Sequence, residues 1–84
     1  MTDLEYDLLD ELYFVISFDA LQNALNWEKL SIEEQLKNLL EKQWVKCIEP
    51  TTMIDVAVDV VIQDYHSYLY LATKKGLLAH HSKD

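Results

Sequence analysis

The sequence predicts an α+β domain over residues 1–84: a three-helix cluster, a small antiparallel β-sheet and a short C-terminal helix. Three observations lead there. Apolar residues recur at helical spacing through the first half of the chain. The period then switches to two in a β-branched stretch, residues 54–62. Only one Gly and one Pro occur, which leaves little of the chain for loops.

A chain of 84 residues is one domain by length, with room for a single core. Half of the residues are hydrophobic and 26% are charged, the balance of a globular protein rather than a disordered one.

Residues 4–16 carry Leu4, Leu8, Leu12 and Val15 or Ile16 on one helical stripe, with Asp3, Asp7, Asp10 and Glu11 off it. The expectation is an amphipathic helix with an acidic outer face. Ser17 is placed to cap a second short helix, with Leu21, Ala24 and Leu25 inward. Asn26 to Leu30 then makes a connection. Ser31 and Glu34 have the spacing of a capping box, so a third helix is expected over 31–43. Ile32, Leu36, Leu39 and Leu40 form its apolar stripe, and Trp44 closes the run.

Ile54, Val56, Val58, Val60 and Ile62 alternate with Asp55, Ala57 and Asp59, which argues for a strand. A looser helical register through Met53, Val56, Val60 and Asp64 is the rival. Val45 to Glu49 and Tyr68 to Leu71 read as further short strands, and Pro50 suits the end of the first. Thr73 is placed to cap a last helix containing Leu77 and Leu78.

This order of elements resembles the winged helix-turn-helix domains of small bacterial transcription regulators. In such domains the third helix often ends in a pattern like L-x-x-L-x-x-x-G-hydrophobic-V. Leu36, Leu39, Gln43, Trp44 and Val45 fall on those places. After the wing the family often shows Y-x-L-T-x-K-G. Tyr70, Ala72, Thr73, Lys75 and Gly76 fall there, followed by Leu77 and Leu78. The resemblance covers roughly residues 8–80. It departs at Gln43, where the family's glycine supplies a left-handed backbone cheaply. Segment 44–73 is also longer than a minimal wing, so an extra strand or a long hairpin is expected in it.

The resemblance implies DNA binding through helix 31–43, with Ser31, Glu33, Glu34, Lys37, Asn38, Lys74 and Lys75 as candidate contacts. Charge argues the other way. Fifteen acids face seven bases, a net charge of −8, and every base is lysine. Residues 1–43 hold ten acids and three lysines. Affinity for a duplex comes largely from neutralising phosphates, and the commonest base contact uses Arg or Lys. Segment 51–65 carries Asp55, Asp59 and Asp64 and no Lys or Arg. The expectation is a non-enzymatic regulatory module working mainly through protein contacts, with sequence-specific DNA binding as the alternative. Asp3, Asp7, Asp10 and Glu11 are the candidate face for a basic partner; the plain reading of such a face is a solvated surface. Tyr6, Tyr13 and Phe14 are candidates for a homodimer contact or for core packing. An acidic protein that mimics DNA's charge is a more distant third reading.

Chemistry finds little to work with. His80 and His81 are adjacent and would point apart, which poorly suits one metal, and a surface tail is the plain reading. His66 falls in a turn. Cys47, the lone cysteine, excludes an internal disulfide and reads as a small buried apolar residue. A single glycine excludes a Gly-rich phosphate loop. Tyr65, Tyr68 and Tyr70 offer stacking faces for single-stranded nucleic acid or, more plainly, sheet packing. No catalytic residue, metal ligand or cofactor is expected. The acidic start lacks the basic and apolar runs of a signal peptide, and no apolar stretch reaches about 18 residues. The expected location is the cytoplasm.

Overall fold

In the computed structural model, which describes residues 1–82, helices and strands follow the order α1 (Asp3–Asp10), β1 (Ile16–Ser17), α2 (Phe18–Leu25), α3 (Lys29–Glu41), β2 (Val45–Ile48), β3 (Asp55–Val56), α4 (Val58–Val61), β4 (Leu69–Ala72) and α5 (Lys74–His81). The strands form one antiparallel sheet, ordered β1-β4-β2-β3. The fold is therefore α+β.

The first helix starts earlier and ends sooner than its apolar stripe predicts. Thr2 caps it: the Thr2 hydroxyl accepts from the Glu5 N–H, and the Glu5 carboxylate accepts from the Thr2 N–H. The expected continuation to residue 16 is corrected, because α1 stops at Asp10. Leu12 is buried from a loop, and its carbonyl accepts from the Ala72 N–H at 2.8 Å. Ile16 then pairs with Tyr70 in β1. Leu8 and Leu9 are buried, whereas Leu4, expected inward, is 47% exposed.

Ser17 caps α2 as expected, accepting from the Ala20 N–H at 3.1 Å. Phe18 and Leu21 enter the core; Ala24, expected inward, is exposed. Asn26 ends the helix at φ 58°, the left-handed conformation that asparagine tolerates.

The expected start of the third helix at Ser31 is also corrected. The ladder begins with the Ile32 N–H donating to the Glu28 carbonyl at 3.2 Å, so α3 runs from Lys29. Ser31 thus lies inside the first turn, and its box with Glu34 does not form. The stripe itself holds, since Ile32, Leu36, Leu39 and Leu40 are all buried.

The short strands expected over Val45 to Glu49 and Tyr68 to Leu71 form as β2 and β4, each within one residue of those bounds, with Val45 opposite Ala72 and Cys47 opposite Tyr70. The expected strand over 54–62 is overturned beyond Val56. Only Asp55 and Val56 pair, with Ile48 and Cys47. The chain then makes one helical turn, α4, which buries Val61 and packs Val58 against the core. Val60 and Ile62 are left exposed. A period-two ladder would have put Val58, Val60 and Ile62 on one face, but in the register of Cys47 with Val56 strand β2 ends opposite residue 58, short of Val60 and Ile62. The long segment between β2 and β4 is thus filled by β3, α4 and a 3-10 turn at Tyr65–Ser67.

Thr73 caps α5, accepting from the Gly76 N–H at 3.1 Å. Among the described residues no helix is long and apolar enough to cross a membrane.

Candidate functional site

The helix implied by the resemblance presents one side to the core and the other to solvent. Glu34, Lys37, Asn38 and Glu41 are exposed, while Ser31 and Glu33 are half-buried. Lys74 and Lys75 are exposed in the first turn of α5. Two other lysines are engaged. Lys42 meets Glu5 at 2.6 Å and lies 4.7 Å over the Trp44 ring; Lys46 lies 3.9 Å from Asp55. Asp55, Asp59 and Asp64 are exposed along the segment that leads from β2 to β4. α3 and the segment from β2 to β4 therefore carry few unengaged lysines and many carboxylates.

The acids of α1 that lie off the apolar stripe stand outside the core. Asp7 and Asp10 are exposed on α1 with Asp3, and Glu11 is half-buried. Glu5 belongs to the same acidic run, yet its side chain is only 4% exposed. Burial by itself would raise its carboxyl; the hydrogen bonds from Lys42 and from the Thr2 N–H outweigh it and hold the group below the usual carboxylate range. Sequence reasoning missed Glu5 and the Thr2 cap, although T-x-x-E at residues 2–5 carries the same signal that was read at residues 31–34.

The histidines correct another expectation. His80 is no surface tail; it is 7% exposed, stacked on Tyr6 with centroids 4.1 Å apart. Its Nδ1 lies 2.7 Å from the Tyr13 hydroxyl, and its Nε2 lies 3.6 Å from an Asp10 oxygen. His81 is exposed, with Nε2 3.4 Å from the same hydroxyl. Tyr6 and Tyr13 thus pack between α1 and α5. Phe14, the third residue singled out for an outward role, is 84% exposed. His66 sits against Phe18 and lies 3.2 Å from Asp19.

The tyrosines do not form a stacking platform. Tyr70 is fully buried and donates to the Tyr65 carbonyl at 2.6 Å; Tyr65 is buried as well. Both hydroxyls are pushed up by burial. Cys47 is buried, as its alternation predicts, and donates to the Val56 carbonyl at 3.1 Å. Burial pushes its thiol up, which disfavours the thiolate. A hollow of about 240 Å³ lies beside β3, with Leu40, Val45, Cys47 and Val56 in its lining and Lys46 and Asp55 among its polar groups. No group of three or more His, Cys, Asp or Glu side chains among the described residues is arranged to hold a metal ion.

The chain matches no known protein family model, no curated protein and no solved structure.

Proposed function

We propose that the chain is a winged-helix regulatory module that works through protein contacts and performs no catalysis. The connectivity supports the frame: α1, β1, α2, α3, then β2 and β4 in one sheet, with β1 on the outer edge of β4. Gln43, on the place of the family's glycine, sits at φ 64°. The left-handed turn that the resemblance implies is thus made, with a less suited residue.

One observation carries the choice of partner. Along α3 and the segment from β2 to β4, exposed Glu34, Glu41, Asp55, Asp59 and Asp64 outnumber the exposed candidate lysines Lys29, Lys37, Lys74 and Lys75, while Lys42 is held by Glu5. Phosphates repel that surface, and basic protein segments are drawn to it. DNA binding through α3 is the second reading, favoured by exposed Lys37 and Asn38 on α3 and by Lys74 and Lys75.

Titration of a mixed-sequence duplex at low and then physiological salt tests the choice. The expected result is no saturable binding even at low salt. Binding at about micromolar strength, with a steep salt slope that Lys37→Ala weakens, would establish the second reading.

A further inference from the structure

We infer that the loop between α1 and β1, led by Phe14, is the docking surface for an extended segment of a partner protein that carries both basic and apolar side chains. This rests on the protein-contact reading above and names the surface that reading needs.

Phe14 is 84% exposed and Val15 is 42% exposed, side by side in the chain. The loop that presents them is anchored on both flanks. The Leu12 carbonyl accepts from Ala72, the Tyr13 hydroxyl lies 2.7 Å from His80, and Ile16 pairs with Tyr70. Phe14 is therefore held outward by a fixed backbone, so a partner pays little ordering entropy at this position. An aromatic ring presented in this way is the side chain that most often dominates an interface.

The sheet adds a second feature. In the order β1-β4-β2-β3, β1 is an outer strand, and it continues directly from Phe14 and Val15. An outer strand beside an apolar side chain suits an extended partner segment. Charge fixes the kind of segment. Asp7, Asp10, Glu11 and Asp19 flank the loop in sequence, and no basic residue precedes Lys29. The basic groups that reach these acids from elsewhere are His66, at Asp19, and His80, near Asp10. A second copy would bring the same carboxylates against their own kind, whereas lysine or arginine flanking an apolar residue is complementary.

The test uses the full chain and a short synthetic peptide of alternating lysine and leucine, followed by amide chemical-shift mapping. An oligolysine of equal charge is the control. Phe14→Ser removes the apolar contact at an exposed position; Asp10→Asn with Glu11→Gln removes charge and keeps Phe14. The expected result is shifts centred on residues 10–19, with affinity for the lysine–leucine peptide falling at least about tenfold in Phe14→Ser and also falling in the charge variant. Oligolysine is expected to bind weakly and equally to wild type and Phe14→Ser. Equal binding of the lysine–leucine peptide to both proteins, or shifts centred on α3 and the wing, would overturn the assignment. Sedimentation showing a wild-type dimer that Phe14→Ser disperses would assign the loop to a second copy instead. Duplex binding would sink the protein-contact reading by a separate result.

Discussion

The Lys42 ammonium lies 2.6 Å from the Glu5 carboxylate, tying the end of α3 to the first turn of α1. Glu5 also closes the capping box with Thr2, so one carboxylate fixes both the start of a helix and its docking on another.

Lys42→Met leaves that carboxylate buried with a weaker set of partners, and it should cost about 1–3 kcal/mol of stability at neutral pH. The folded-state carboxyl lies below its ordinary value. Its contribution is therefore complete above the unfolded carboxyl value and is lost as pH falls through the acidic range. Denaturant unfolding at neutral and acidic pH should show a smaller acid loss in Lys42→Met than in wild type. An identical acid loss in both would assign acid sensitivity to other carboxylates, such as Glu49, which Thr51 and Thr52 also hold low.

Gly76 is the lone glycine, and it sits in the first turn of α5 at a negative φ. Its role is space. A Cβ there would collide with the Trp44 carbonyl oxygen and lie 2.8 Å from its carbon. Gly→Ala in a helix ordinarily gains up to about 1 kcal/mol. Here the clash with backbone reverses the sign, and Gly76→Ala should destabilise by about 3 kcal/mol. Thermal unfolding checks it; a raised midpoint would show that the two backbones separate freely.

The same junction contains Gln43 at φ 64°. A side chain in that conformation costs about 1 kcal/mol that glycine does not pay. Gln43→Gly should raise stability by about that amount in denaturant unfolding. Thr73→Ala should lower it by about 1–2 kcal/mol, since the Thr73 hydroxyl both caps α5 and donates to the Gln43 carbonyl at 2.7 Å.

What the chain reveals by itself follows from where local and tertiary signals agree. The stripe of Ile32, Leu36, Leu39 and Leu40, the caps at Ser17 and Thr73, and the alternation around Cys47 all point the same way as the packing. They fail where a residue answers to a distant partner. Leu12 and Ile16 fit the helical register of α1, yet they serve a loop and a two-residue strand that Tyr70 and Ala72 position from the far end of the chain. The β-branched run from Ile54 alternates like a strand, but in the register of Cys47 with Val56 its partner β2 ends opposite residue 58, and burying Val61 takes a helical turn. His80 lies within a polar tail by composition; only the packing of α5 on α1 encloses it. Of the candidate surfaces, the exposure of Lys37, Asn38, Lys74 and Lys75 follows from the pattern. The pattern leaves Phe14 open between an outward and a core role, and the turn that ends α1 decides it.

The central claim is that surface charge turns a regulator-like frame away from nucleic acid and towards protein. Duplex affinity of Glu34→Lys, Glu41→Lys, Asp55→Lys, Asp59→Lys in one chain, measured beside wild type at low salt, tests it most directly. The account predicts no saturable binding by wild type and about micromolar, steeply salt-dependent binding by the reversed variant. Tight binding by wild type, or none by a folded reversed variant, would contradict it.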